Sequence, residues 1–362
     1  MHLALARLAH LRPFADVTLS FLSGESTRRT TVVFGGDRTG KTTLLAAIAT
    51  TRPGFAVPPP PGRREGELPP WVMCDWHLGE DDPERPHVLR VMSPSATLED
   101  ESVEQAAFRR KEQALFDRRA QEQGGFSLVL VSGARWFSRA PNMLSQPDRT
   151  VGRYDMRAAP PLDDATRADL TRETKQILSY ATIGSAIEHR ARTRSAQAGE
   201  AATGIDAVSR LGAFSSALEA TLAILLEPFQ HTWEGVRADS LEPIFRDDAG
   251  AAIPFEELPR GARHLVSIGA LAVRALAAHC PEGRSPRDRE GVVLVDDVEA
   301  GQDAPVQRIL PQLLARALPA VQWILATSSP LVTTGCAPGE TIVLRRGERL
   351  VEVHEGDQAL IH

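Results

Sequence analysis

The sequence predicts an α/β fold, and two segments carry that prediction. Thr30 to Phe34 is a short run of β-branched and aromatic residues, typical of a buried strand. Glycines follow it, and residues 42–50 then have the composition of a helix start. Far along the chain, Val292 to Val295 form a second buried-type strand that ends in an acidic residue. A strand, a glycine turn and a helix in this order are the framework of a phosphate-binding loop.

The glycine turn has the spacing of a P-loop, Gly35-x4-Gly40-Lys41-Thr42. Glycines let successive backbone N–H groups converge on phosphate oxygens, and the following helix N-terminus adds partial positive charge. We expect Lys41 to reach the β- and γ-phosphates of a bound nucleotide, and the Thr42 hydroxyl to ligate Mg²⁺. The loop residues predicted to hold the nucleotide are Gly35, Gly36, Asp37, Arg38, Thr39, Gly40, Lys41, Thr42 and Thr43.

Composition narrows the class of protein. Of 362 residues, 42% are hydrophobic and 24% charged, which is ordinary for a soluble globular protein. The net charge of −6 argues against a dedicated nucleic-acid coat. Three cysteines without CxxC spacing predict a reduced, cytoplasmic location. No stretch approaches eighteen uncharged apolar residues, and the richest, "LEATLAILLEPF", is broken by glutamates, so no membrane span is predicted. The N-terminal apolar run carries His and Arg, so it predicts a strand rather than a signal peptide.

The first part of the chain, residues 1–94, predicts the N-terminal part of a P-loop domain. Residues 2–8 and 14–21 alternate and predict an antiparallel pair of strands ahead of the P-loop strand. Residues 52–70 are rich in proline and predict a loop or linker, with a proline-rich ligand for a partner as the alternative. His87 to Ser95 suggest another strand.

Residues 95–235 predict a largely helical insertion. Its elements are a solvated helix from Glu99 to Gln123, a buried-type strand from Phe126 to Gly133, a helix from about Asp163 to Arg194, and an amphipathic helix from Val208 to Phe229. Arg190, Arg192 and Arg194 suit the C-terminus of the third element, with contact to DNA as the alternative.

Residues 236–362 predict the C-terminal part of the same P-loop domain. The strand from Val292 ends in Asp296, which we expect to hold the Mg²⁺ water shell opposite Thr42. Lys41 and Asp296 are 255 positions apart (296 − 41), so a large insertion must separate the two halves of the site. Residues 74–82, "CDWHLGEDD", predict a polar loop, with a metal site as the alternative.

Two further segments indicate a family. "FEELPRGARHLVSIGALAVRALAAH" precedes the strand at Val292, and "VQWILATSSPLV" follows the next helix. With the P-loop and the acidic strand end, they resemble the ABC-type ATPases of the RecF, SMC and OLD kind, including stand-alone AAA family ATPases of bacterial defence and repair operons. The resemblance covers residues 1–50 and 240–345. It implies an SMC-head-like fold that binds ATP and Mg²⁺ and forms a head-to-head homodimer around ATP.

The resemblance also assigns residues. "LPRGAR" falls on the family's signature, with Arg260 and Gly261 facing the γ-phosphate of the other subunit. Asp296 falls on the Walker-B aspartate, Asp303 on the D-loop aspartate, and Thr327 to Pro330 on the switch.

Three departures bear on turnover. Pro259 stands where the family has serine, Asp297 where it has the water-orienting glutamate, and Ser328 where it has the switch histidine. Glu299 is an alternative base, since it lies two residues after Asp297 and on the same side of an extended chain. No Q-loop glutamine is assigned. The candidate catalytic residues are therefore Asp297, Glu299 and Ser328, and we expect slow hydrolysis.

The resemblance implies an ATP-dependent switch in DNA repair or anti-phage defence, working with an effector or operon partner. Nucleic acid is a candidate partner that no residue proves, and a membrane is not expected. Two alternatives stay open: a nucleotide-sensing scaffold that does not hydrolyse ATP, and a transporter ATPase subunit. A transporter would need a smaller insertion and a longer signature than this chain has.

Overall fold

The computed structural model describes residues 1–56, 68–81, 88–94, 96, 98, 100–123, 126–139, 169–197, 210–278, 280–281, 283–348 and 350–356. The strands of those ranges are β1 (His2–Ala9), β2 (Asp16–Ser20), β3 (Leu22–Ser23), β4 (Ser26–Thr27), β5 (Thr30–Gly35), β6 (Thr51–Arg52), β7 (Phe55–Ala56), β8 (Trp71–His77), β9 (Val88–Met92), β10 (Leu128–Val131), β11 (Thr232–Val236), β12 (Pro243–Arg246), β13 (Ala252–Pro254), β14 (Gly291–Val295), β15 (Val321–Thr327), β16 (Thr341–Arg346) and β17 (Val351–Glu355). The α-helices are α1 (Lys41–Ala49), α2 (Val103–Gln123), α3 (Leu170–Gln197), α4 (Arg210–Leu226), α5 (Arg260–Ala278), α6 (Ala304–Ala317) and α7 (Pro330–Thr333).

A six-stranded sheet carries the P-loop. Its order is β10-β14-β15-β5-β16-β17, and every pair is parallel except β16 with β17. β5 thus lies between β15 and β16, and β14 lies one strand further away. Because the carboxyl ends of parallel strands share one edge of the sheet, β5, β10, β14 and β15 all deliver their following loops to the same place.

Each face of this sheet packs against a different layer. Alternate residues of β14 point to opposite faces: Val293 and Val295 belong to one buried cluster, and Val292 and Leu294 to the other. Helices α3, α4, α5 and α6 cover the first face. On the second face, α1 lies between the main sheet and an antiparallel sheet of order β2-β1-β8-β9. The predicted antiparallel pair is confirmed, with Leu8 opposite Val17.

The predicted insertion, residues 95–235, contains α2, α3 and α4. It also contains β10, which pairs in parallel with β14 at the edge of the main sheet, with Val131 opposite Val295. The N-terminal half of α3 is buried against α4 and α5, whereas its last turns, including Arg190, Arg192 and Arg194, are exposed. The part of the predicted third element before Asp169 lies outside the described residues. The three-part division of the chain stays a prediction.

Within the described residues, one segment, Arg210–Phe229, is long and apolar enough to cross a membrane by length and composition. Most of it is α4, whose side chains Phe214, Leu218, Leu222 and Leu225 are buried in the core beside α5. The segment therefore has the character of a core helix.

Several local predictions have structural outcomes. The chain turns between β12 and β13, and β16 and β17 form a hairpin. Residues 74–77 are wrong as a polar loop, because Cys74 and Trp76 are buried in β8 and Asp75 is paired with Arg90 across the sheet. No group of metal-ligating side chains occurs in the described part of the chain. Residues 57–67 of the proline-rich segment lie outside the described residues.

Candidate functional site

The P-loop is closed on its own lysine. Lys41 is 8% exposed, and its Nζ donates to the carbonyl oxygens of Gly35 at 2.8 Å and Gly36 at 3.0 Å. Thr39 Oγ1 donates to Gly36 O at 2.9 Å. These bonds curl the backbone around the position that an anion would take, with the first turn of α1 directly behind it.

Gly40 has a specific steric reason to be glycine. It lies in the left-handed region at φ 91°, and a Cβ there would come within 2.6 Å of the Pro13 ring. The exposed residues of the loop are Gly36, Asp37, Arg38 and Thr42, and Thr43 is half-buried in the first turn of α1. The loop therefore presents its tip to solvent while its two ends are held by β5 and α1.

Thr42 and Asp296 meet although 254 positions separate them. Thr42 Oγ1 donates to Asp296 Oδ2 at 2.6 Å. Asp296 follows β14 and is 3% exposed, and its backbone N–H donates to Val131 O of β10 at 2.9 Å. A hydroxyl and a carboxylate are oxygen donors of the class that Mg²⁺ takes, so these two residues fit a magnesium ion by chemistry and by position.

Asp297 has an unusual backbone conformation. Its φ of 44° is left-handed, a region that Asn and Asp enter more readily than most other residues. Burial, together with the neighbouring carboxylates of Asp296 and Glu299, raises the pKa of Asp297 above its ordinary value. An aspartate with a raised pKa is a better proton acceptor than an aspartate with the ordinary pKa.

Arg135 holds this turn from behind. Its Nη1 donates to Asp296 O at 2.7 Å and its Nη2 to Asp297 O at 2.5 Å. Its Nε donates to His264 Nδ1 at 3.0 Å, one turn into α5. Burial and three nearby arginines lower the pKa of His264 to about 3, so the ring is neutral and its Nδ1 is free to accept. Arg135 therefore joins the loop after β10, the turn after β14 and helix α5.

Glu299 is held by the segment that follows β15. Ala300 N donates to Asp297 O at 2.9 Å, so the chain turns here and is not extended, which was the condition under which Glu299 and Asp297 would share a side. Glu299 accepts from Thr327 Oγ1 at 2.7 Å, from Ser328 N at 2.8 Å and from Ser328 Oγ at 2.9 Å. Burial opposes ionisation, but these hydrogen bonds outweigh it and lower the pKa of Glu299 overall.

The signature segment begins α5. Arg260 is exposed at the first helical position, whereas Gly261 is buried against its own chain. A Cβ at Gly261 would come within 3.0 Å of Gly301 O. Gln302 Nε2 donates to Gly261 O at 3.0 Å. Asp303 is exposed at the N-terminus of α6, so Arg260 and Asp303 both lie on the surface.

Sequence reasoning missed Arg135 and Gln302 as parts of the site. The only signal for Arg135 was its place two residues after the predicted buried-type strand that ends in Gly133. Gln302 had none, because its role depends on the turn that brings it to Gly261. The residues that follow β10 beside Asp297 are Ser132 and Gly133. No glutamine lies at this strand end that could be assigned to a Q-loop.

The chain has the P-loop fold of SMC head domains, which is the fold that the resemblance implies. Two solved structures match nearly the whole chain at 12% identity. One is an Smc head bound to the C-winged helix domain of ScpA, with a TM-score of 0.54, covering 98% of this chain and 97% of that one. The other is an Smc head with an extended coiled coil bound to the C-terminal domain of ScpA, from Pyrococcus furiosus, with a TM-score of 0.52, covering 98% and 96%. At this identity the likeness shows the fold.

One curated relative is similar in sequence. The Retron Vc95 probable ATPase of Vibrio cholerae serotype O1 biovar El Tor is 31% identical to this chain over 85 residues. The match covers 24% of this chain and 16% of the relative's length. No protein-family profile matches the chain.

Proposed function

We propose that this chain binds ATP with Mg²⁺, forms a head-to-head homodimer around it, and hydrolyses it slowly as a switch for a partner protein. The observation that carries the proposal is the 2.6 Å contact between Thr42 Oγ1 and Asp296 Oδ2 at the mouth of the P-loop. Two oxygen donors from distant parts of the chain converge there beside Lys41, as magnesium-assisted phosphate binding requires. ATP would supply the phosphoanhydride and Mg²⁺ the charge neutralisation, while the chain orients both.

The state of the carboxylates supports slow turnover. Glu299 accepts three hydrogen bonds from Thr327 and Ser328, which leaves Asp297 as the carboxylate available to take a proton from water. An aspartate is one methylene shorter than a glutamate, and misplacing a catalytic group by about 1 Å costs on the order of a hundredfold in rate. Typical enzymes turn over at about 10 s⁻¹, so we expect a rate two to three decades lower.

The exposed signature surface supports dimerisation. The N-terminus of α5 lies at the surface with Arg260 beside it, and a helix N-terminus favours an anion through its free N–H groups and dipole. In the proposed dimer the anion is the γ-phosphate held by the partner's P-loop. Asp303, exposed at the start of α6, lies on the same side of the site and is proposed to contact the partner.

The setting follows from similarity. The relative in Vibrio cholerae is named as the probable ATPase of a retron, and both Smc heads were solved with a ScpA domain bound. We therefore propose a cytoplasmic role in DNA repair or anti-phage defence, with a protein partner docked on the head. Nucleic acid is a candidate effector.

Direct titration tests nucleotide binding. Replacing Lys41 with Ala removes the ammonium that closes the P-loop, and we expect ATP affinity to fall at least about a hundredfold. Lys111→Ala is the matched control, since Lys111 is exposed on α2 far from the loop. Equal affinity of Lys41→Ala and wild type would refute the site. Phosphate release with and without DNA then separates a nucleic-acid-stimulated enzyme from one that needs only a protein partner.

A second candidate function is a nucleotide-sensing scaffold that does not hydrolyse ATP. Thr327 and Ser328 donate hydrogen bonds to Glu299, so one of the two candidate bases is already occupied. This favours the scaffold. Single-turnover measurements over hours decide between the two functions. Bound ATP recovered intact at stoichiometric amounts would support the scaffold and contradict the slow enzyme.

A further inference from the structure

A continuous set of hydrogen bonds runs from the signature segment to the switch segment of this chain. Gln302 Nε2 donates to Gly261 O at 3.0 Å, and the carbonyl of Gln302 accepts from Gln307 Nε2 at 2.8 Å. Gln307 Oε1 in turn accepts from Ser329 Oγ at 2.6 Å. Two glutamines on one short stretch therefore link the start of α5 to the start of α7.

The set continues from Ser329 to Glu299. Ser329 N donates to Thr327 Oγ1 at 3.0 Å, and Thr327 Oγ1 donates to Glu299 Oε2 at 2.7 Å. The other oxygen of Glu299 accepts from both the N–H and the hydroxyl of Ser328. The backbone N–H of Gln302 also donates to Glu299 O at 2.9 Å, which closes the set into a ring.

This ring is partly shielded from solvent. Glu299, Gln307 and Ser329 are half-buried and Ser328 is exposed, whereas the other two members are buried. Gln302 is 6% exposed and Thr327 is fully buried. Within the described residues, Gln302 Oε1 has no hydrogen-bond donor, although it is buried next to Gly261. A buried acceptor without a donor costs free energy, and a shift of the signature segment that brings it a donor would remove that cost. Gln302 Oε1 is thus the place in the ring that responds to such a shift.

We propose that Gln302, Gln307 and Glu299 are positioning residues that couple the signature segment to the switch segment within one subunit. The consequence rests on the proposed function. In a head-to-head dimer, one subunit's signature faces the ATP held by its partner, and its switch faces its own ATP. Coupling inside a subunit therefore links the two ATP sites of the dimer, and the two sites hydrolyse cooperatively.

Amide hydrogen exchange tests the coupling without nucleotide. In the switch segment, the N–H groups of Ser328, Ser329 and Leu331 all donate to side-chain oxygens of the ring. Gln302→Met and Gln307→Met keep nearly the same volume and remove the amide group. We expect each to speed exchange in the peptide covering 327–331 at least about fivefold. For Gln302→Met, the change arises at a segment that its side chain does not touch.

The matched control is Gln312→Met. Gln312 lies on the same helix as Gln307 but donates to Gly335 O at 3.3 Å, outside the ring. It should leave exchange in 327–331 unchanged. Unchanged exchange in Gln302→Met, or an equal change in Gln312→Met, would overturn the proposal whatever the protein does with ATP.

Steady-state hydrolysis tests the consequence. We expect a Hill coefficient for ATP approaching 2 in wild type and in Gln312→Met, and about 1 in Gln307→Met, with ATP affinity unchanged in all three. A merely structural defect would lower affinity or activity without changing the Hill coefficient. A Hill coefficient retained in Gln307→Met would overturn the link between sites. If wild type stays monomeric with ATP, the dimeric switch fails, and the exchange experiment still decides the coupling.

Discussion

At the scale of single residues, the site combines side chains that the sequence announces with others that it hides. Lys41 and Thr42 follow from motif spacing alone, because a P-loop needs an ammonium and a hydroxyl at fixed offsets from its glycines. Arg135 and Gln302 act through backbone carbonyls, and any residue type supplies a carbonyl. No sequence pattern marks such partners, so only the folded chain reveals them.

Arg135 makes the first testable case. Its guanidinium donates to the carbonyl oxygens of Ser132, Asp296 and Asp297, so Arg135→Ala removes a donor from three partly buried acceptors, of which Asp297 O keeps the N–H of Ala300. We expect the free energy of unfolding to fall by about 2–3 kcal/mol, measured by urea titration. Arg139→Ala, an exposed position in the same segment, should change it by less than about 0.5 kcal/mol. Equal losses in the two variants would show that the carbonyl contacts contribute nothing specific.

Substitutions at Asp297 and Glu299 are expected to reduce the rate of hydrolysis to different extents. Asp297→Asn keeps a residue that tolerates the left-handed conformation and removes the base. We expect single-turnover hydrolysis to fall at least about a hundredfold and the ATP-bound dimer to accumulate. Glu299→Gln should reduce the rate less. The reverse order, with Glu299→Gln inactive and Asp297→Asn at the wild-type rate, would move the base to Glu299.

The same two carboxyl groups change the free energy of unfolding with pH in opposite directions. The pKa of Asp297 is raised in the fold, so its contribution is present in acid and is lost as pH rises through the folded pKa. The pKa of Glu299 is lowered, so its contribution is present at neutral pH and is lost as pH falls through its folded pKa. At pH 7, Asp297→Asn should therefore be slightly more stable than wild type and Glu299→Gln less stable, each by up to about 1 kcal/mol. Both differences should shrink in acid, as followed by urea titration at several pH values.

At the scale of elements, strand and helix patterns predicted most of what forms. The hairpin of β16 and β17 and the antiparallel pair of β1 and β2 follow from alternation and turn residues, which are local. The pairing of β10 with β14 is not local, and nothing in the composition of residues 126–133 says which strand they join. The turn at Asp297 was also missed, because an aspartate with positive φ gives no signal of its own.

The start of α5 gives a prediction about dimerisation. A substitution at Gly261 would clash with Gly301 and Gln302 of its own subunit and so confuse folding with assembly. Arg260 is exposed one position earlier, and Arg260→Glu places a negative charge where the proposed γ-phosphate would lie. Multi-angle light scattering with ATP should then show a monomer for Arg260→Glu. Arg346→Glu, an exposed charge reversal on β16, should dimerise like wild type. A dimer in both would leave the signature surface outside the interface.

At the scale of the whole molecule, the site belongs to neither half of the chain. The P-loop comes from residues 35–43, and its acidic partner arrives more than 250 positions later. The sequence predicted this arrangement through the order of its motifs. The sequence also predicted a large insertion between the two. It did not predict that β10, which lies in this insertion, pairs with β14 at the edge of the main sheet.

Ligand binding should stabilise the whole head through this one site. A ligand that binds only the folded state at about 100 times its Kd adds about 2.7 kcal/mol. We therefore expect ATP with Mg²⁺ to raise the midpoint of thermal unfolding by several degrees. Chelation with EDTA should remove most of that rise, since Thr42 and Asp296 would lose the ion between them and the phosphates. An equal rise with and without EDTA would contradict a magnesium site at Thr42 and Asp296.

The position of β5 in the sheet has a consequence for synthesis on the ribosome. Both of its neighbours, β15 and β16, lie beyond residue 320, so both edges of the P-loop strand stay unpaired until those later residues are made. Pairing across such a separation is slow and leaves the early segment dependent on chaperones. Nascent and prematurely terminated chains should therefore be unable to hold ATP, which keeps incomplete molecules from pairing with finished ones.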